Sequence, residues 1–132
     1  MSKFEIILFA KQQEKELLGF YMITREDVLY YLEMRTKEKT HEKKRYYKII
    51  KDRESQEYKK FINVYLETKS VLSDREQVIM DSIYGVSGKP MKLKEVGEMI
   101  GLTPERIRQL IYKSERKITT ALCRKFKIKF IS

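Results

Sequence analysis

Glu105, Arg106, Arg108 and Gln109 stand close together in a run that begins Thr103-Pro104. These side chains are of the types that read base edges and grip phosphates. A glutamate can accept from a cytosine amino group, an arginine can take guanine or phosphate, and a glutamine can pair with adenine. Lys113, Arg116 and Lys117 follow at spacings that continue toward a phosphate backbone. The spacing therefore predicts a DNA-reading helix whose contact residues are Thr103, Glu105, Arg106, Arg108, Gln109, Lys113, Arg116 and Lys117.

Such a helix needs a partner to hold it at a steep angle. Leu93-Lys-Glu-Val-Gly97 predicts that partner, with Gly97 placed where two backbones approach and Gly101 in the turn. Val96, Ile100, Leu102, Ile107 and Leu110 fall on the inward side. Thr103 suits the N-cap and Pro104 the first helical position, where no donor is required. Together these features define a helix-turn-helix, with the second helix running from Pro104 to about Leu122.

Charge agrees with that reading. The formal net charge is +10 over 132 residues. From Pro104 to Ser132 nine Lys/Arg stand against Glu105 and Glu115, a surplus of +7. Clustered basicity attracts a polyanion and makes its binding salt-dependent. No apolar run approaches the ~20 residues that cross a bilayer. The lone cysteine, Cys123, excludes an intramolecular disulfide and a Cys/His metal framework. These features fit a cytoplasmic bacterial or phage protein that needs no cofactor.

The remaining elements also read as helices. Ser2-x-x-Glu5 opens a helix from about Lys3 to Leu18 ended by Gly19, with a strand at Phe4–Phe9 as the competing reading. Thr24-x-x-Asp27 opens another. Lys37–Lys51 reads as helix with a thin apolar stripe, and Asp52–Glu57 as a boundary or connector. Tyr58, Phe61, Ile62, Tyr65 and Leu66 repeat at helical spacing, and Ser73-Asp-Arg-Glu76 caps a helix that Gly85 ends. Lys125–Ile131 alternates basic and apolar residues, a strand period that allows short β pairing of the termini. The expected fold class is all-α: a helical bundle with a C-terminal helix-turn-helix. Its expected parts are an N-terminal helical region at 1–57, a helix-turn-helix domain at 58–124 and a tail at 125–132.

Nothing supports an enzyme. His41 lacks a nucleophile partner and reads as solvated, Cys123 reads as buried and structural, and the carboxylates lie in mixed-charge helices. The tyrosine pairs Tyr30-Tyr31 and Tyr46-Tyr47 could stack on bases, but read as helix packing.

Leu93-Lys-Glu-Val-Gly97, Thr103-Pro-Glu-Arg-Ile-Arg-Gln-Leu110 and Lys113-Ser-Glu-Arg-Lys-Ile118 resemble region 4 of bacterial sigma factors. Leu72-Ser-Asp-Arg-Glu76 through Tyr84-Gly85 is similar to the helix that precedes them in that family. The resemblance covers about Phe61 to Leu122. It implies that Glu105, Arg108 and Gln109 contact bases or adjacent phosphates of a −35 promoter element, and that Arg106 and Lys113 help hold the duplex. It also implies that the helices of 58–84 present an apolar surface, with Phe61, Tyr65, Ile79 and Ile83, to the β-subunit flap of RNA polymerase. Three positions depart from the family pattern. Pro104 stands where an arginine often reads a base. Asp81 and Ile83 stand where phosphate-contacting arginines are common, and an acidic Asp81 would repel phosphate. Glu115 replaces a usually apolar residue. The chain has no tryptophan and no match to the promoter-melting region 2. The resemblance therefore implies a stand-alone or split-sigma protein, with a second sigma-like subunit as a further partner. The rival expectation is an adaptor that binds polymerase or a sigma subunit through a sigma-like surface, with DNA contact secondary.

Overall fold

Helix boundaries follow the capping chemistry. The computed structural model describes residues 22–36, 38 and 40–129. Among them are six α-helices and no strand. In α1 (Arg25–Met34) the Thr24 Oγ1 accepts from the Asp27 amide and Asp27 accepts from the Thr24 amide. Ser55 caps α3 (Gln56–Thr68), which a 3-10 turn at Lys69–Val71 extends. Ser73 and Glu76 form the expected reciprocal box on α4 (Asp74–Tyr84). Gly85 ends α4 at φ 71°, a left-handed backbone that glycine adopts without penalty. The helix-turn-helix pair is α5 (Leu93–Ile100) and α6 (Pro104–Phe126).

Two stretches differ from expectation. Lys37–Lys51 is not one helix: it holds a 3-10 turn at His41–Lys43 and a single α-turn, α2 (Tyr46–Ile49). Between them Lys44 is extended, at φ −74° and ψ 146°. That break sends its ammonium into the core instead of along a helix surface. At the other end, α6 runs on through Phe126, and Lys127 stops it at φ 53°. The Ile128 amide then donates back to the Cys123 carbonyl at 3.0 Å, and the Ile128 side chain is buried. The alternating tail is thus, as far as Ile128, a helix terminus with an apolar tuck. The expected Lys3–Leu18 helix, the Phe4–Phe9 strand and the last three residues lie outside the described residues.

One apolar core joins α1 and α2 to the rest, reaching from Val28 to Ile128. The boundary expected at 57/58 separates no two cores. At its centre Tyr31, Tyr46, Phe61 and Tyr84 pack ring against ring, with centroids 4.9–5.4 Å apart. Each hydroxyl needs a partner there. Tyr31 and Tyr84 share one hydrogen bond at 3.3 Å. The Tyr58 hydroxyl donates to the Tyr84 carbonyl at 2.9 Å. Phe61, Tyr65, Ile79 and Ile83 are each 0% exposed. They belong to this core and present no surface to a partner, because α1, α2 and α6 cover the apolar side of α3 and α4.

A charged node ties the segment before α3 to α6. Glu115, at the middle of α6, is 0% exposed. Its carboxylate accepts from Lys44 Nζ at 2.6 Å and faces Arg35 at 3.6 Å. The Tyr46 hydroxyl also donates to it, at 3.5 Å. Arg25 adds a second tie, donating to the Phe126 carbonyl at 2.6 Å. Removing the carboxylate would take from the buried Lys44 the ion-pair partner it has at 2.6 Å. Glu115→Ala should therefore cost about 3–5 kcal/mol of unfolding free energy, read from urea denaturation.

His41 is buried, not solvated. Its ring meets Tyr47 edge-on at 4.9 Å, and Nδ1 lies 3.1 Å from the Tyr46 hydroxyl. Burial lowers its pKa to about 4; Glu42 opposes that shift and Lys44 reinforces it. The unfolded chain, with an ordinary value near 6.5, therefore binds the proton more readily than the folded one between those limits. Stability from this group is complete above about pH 6.5 and drains away as pH falls toward about 4, by up to ~3 kcal/mol. Urea midpoints at about pH 7 and about pH 5 should differ in the wild type, and the difference should shrink in His41→Phe.

Candidate nucleic-acid interface

The angle between α5 and α6 rests on Gly97. A Cβ at that position would collide with the Leu102 carbonyl oxygen. The Leu102 amide in turn donates to the Gly97 carbonyl at 2.9 Å. Gly101 makes the reversal at φ 76°. Val96, Ile107 and Leu110 fill the wedge between the helices and are buried, while Ile100 and Leu102 are partly buried against them. Thr103 Oγ1 accepts from the Arg106 amide at 3.1 Å, and Pro104 occupies the first turn. Each local feature needed for a helix-turn-helix is present and does its expected work.

The outward face of α6 carries the predicted readers, and they are already engaged with each other. Arg108 pairs with Glu105 at 2.6 Å. Arg106 donates to Gln109 Oε1 at 3.1 Å. Both contacts are i,i+3 pairs on one helix surface and orient the side chains outward in a ladder. Lys113 and Arg116 continue that face as exposed cations. Lys117 turns aside: its Nζ lies 2.8 Å from Glu76 of α4. Burial of the Glu76 carboxyl opposes ionisation, but hydrogen bonds from Lys117 and Ser73 outweigh it and hold the pKa below the usual value. Lys117 thus braces α6 against α4, and its charge is partly offset at home.

Asp81 does not project a bare negative charge. Lys69 Nζ sits 2.8 Å from it, and the Tyr65 hydroxyl donates to it at 2.6 Å. The repulsion expected at this position is therefore largely cancelled within the fold. The structure also adds residues that spacing arguments passed over. Tyr112 is 54% exposed, between Arg108 and Arg116 on the same stripe. A cleft of about 500 Å³ runs from Val71 past Tyr112 and Arg116 to Arg124. The period-3.6 stripe 105, 108, 112, 116 contained the signal for Tyr112, but an aromatic there reads equally as core.

The arrangement presents the kinds of side chain that grip phosphates and read base edges. No three of their His, Cys, Asp and Glu side chains gather as a metal site. None of their helices is long and apolar enough to cross a membrane.

A capped basic helix held across a glycine turn defines the DNA-binding helix-turn-helix class. Residues 70–118 match the family model described as Sigma-70, region 4, so this segment is similar to a module of DNA-binding transcription proteins. It spans α4, α5 and the first two-thirds of α6. No curated protein and no solved structure matches the chain.

Glu105 both restrains Arg108 and places a carboxylate on the exposed face of α6. Glu105→Ala should raise affinity for mixed-sequence duplex several-fold and steepen its salt dependence by about one unit. The fold should lose less than ~1 kcal/mol, since an exposed pair contributes little. Anisotropy titrations over a salt series read both effects.

Proposed function

We propose that the protein is a promoter-binding transcription factor that reads a −35-like element through the N-terminal half of α6 while contacting RNA polymerase. The observation that carries this reading is the reader ladder: Glu105, Arg106, Arg108 and Gln109 stand outward on a helix whose angle is set by Gly97 and Gly101. In this reading Glu105, Arg108 and Gln109 face base edges, and Arg106, Lys113 and Arg116 hold phosphates. Thr103 serves as the cap that aims them.

Contact with the polymerase β flap is part of the proposal, but its surface differs from the one expected. The four apolar residues first assigned to it are core. Val71 and Val78 are the large apolar side chains that the 69–84 stretch exposes. A flap-docking face on that stretch would use them.

The rival reading, an adaptor for polymerase or for a second sigma-like subunit, draws on Pro104 and on the internal pairing of Arg108. Both reduce what the helix offers to bases. Promoter-duplex binding and core-polymerase pull-down separate the two readings. Gln109→Ala should lower discrimination at one base position by ~1–3 kcal/mol. Lys113→Ala should weaken binding to every sequence and flatten the salt slope by about one unit. Unchanged DNA binding in both variants, with tight polymerase binding retained, would replace the promoter reader with the adaptor.

A further inference from the structure

Three lysines from two separated parts of the chain meet beside the first helix of the motif. Lys51 follows α2, while Lys89 and Lys92 belong to the loop that leads into α5. They rim a cleft of about 250 Å³ whose walls include Tyr47, Ile50 and Met91. Lys51 Nζ lies 4.2 Å from the centre of the Tyr47 ring, a cation–π contact that keeps it on the rim. All three lysines are exposed, and none forms an ion pair among the described residues. The nearest carboxylates in sequence are occupied by backbone amides. Asp52 accepts from the Glu54 amide at 3.2 Å, and Glu95 accepts from the Lys92 amide at 3.0 Å. The rim therefore gathers three ammonium groups, none of them held in a salt bridge among the described residues.

Its place in the motif says what would neutralise it. In a helix-turn-helix the second helix enters the major groove and the first crosses the sugar–phosphate backbone. Here α5 is that first helix and Lys92 its N-cap. The positive end of the α5 dipole adds to the three ammonium groups. We propose that Lys51, Lys89 and Lys92 form a second DNA contact, a phosphate clamp beside the α6 groove site, in which the segment before α3 takes part. Lys51 lies outside the 70–118 module, so the clamp extends the DNA footprint beyond it. This inference rests on the DNA-binding reading of α6.

The test uses the full chain and a mixed-sequence duplex of about 30 base pairs, titrated by anisotropy over a salt series. Lys51→Gln and Lys89→Gln should each lower the slope of log affinity against log salt by about one unit, and the double variant by about two. Lys60→Gln makes the same charge change away from the cleft, where Lys60 lies over the Tyr30 ring at 4.7 Å. It should leave the slope at the wild-type value. Thermal melts confirm that each variant folds. A folded Lys51→Gln variant with the slope of Lys60→Gln, while Lys113→Ala flattens it, would overturn the clamp and leave the α6 reading standing. A slope unchanged in Lys113→Ala as well would remove the DNA reading on which the clamp depends.

Discussion

A carboxylate sealed inside the core governs how this molecule is put together. Glu115 sits on the inner side of α6, where an ion without partners would cost several kcal/mol. Its partners, Lys44 and Arg35, come from the segment before α3. The matched module therefore cannot complete the environment of its own long helix, α6. Residues 22–50 must dock for α6 to be satisfied at its midpoint. The same docking seats Tyr31 and Tyr46 against Phe61 and Tyr84 and brings Arg25 to the last turn of α6. An apolar residue at 115 would have needed no such segment. The charged choice makes the orientation of α6 a property of the longer chain.

That dependence explains what was legible in the sequence. The helix-turn-helix was readable because its determinants are local. Gly97, Gly101, Thr103 and Pro104 act within a few residues of one another, and the inward apolar positions follow a single period. The boxes at Thr24 and Ser73 were readable for the same reason. The stretch around His41 was not, since its inward side chains are polar and answer to a carboxylate 71 residues away. The resemblance grouped Phe61, Tyr65, Ile79 and Ile83 as one apolar surface for a partner. It could not show that α1, α2 and α6 cover that surface instead. Glu115 stood out as a departure from the family pattern, but only the fold shows that the departure is answered by Lys44. Alternation in the tail suggested a strand, whereas Lys127 in the left-handed region turns Ile128 back onto the core.

The long helix divides its labour along its axis. In its first two turns each cation has a partner: Glu105 offsets Arg108, and Gln109 accepts from Arg106. Such exposed pairs contribute less than ~1 kcal/mol, so exchanging them for base or phosphate contacts costs little. Until that exchange they keep the readers extended and ordered, which reduces the entropy lost on binding. Farther along, Lys113, Arg116 and Arg124 are exposed and stand without paired carboxylates among the described residues. Under the proposed reading, affinity resides in that basic half and discrimination in the balanced one, the usual separation of phosphate from base contacts. Pro104 sharpens the division. It presets the first turn and offers no side-chain donor, so the task of telling one base from another falls to Glu105, Arg108 and Gln109. A reader with so few discriminating groups needs other positive surfaces to hold the duplex long enough to read it, and the lysine rim beside α5 is such a surface.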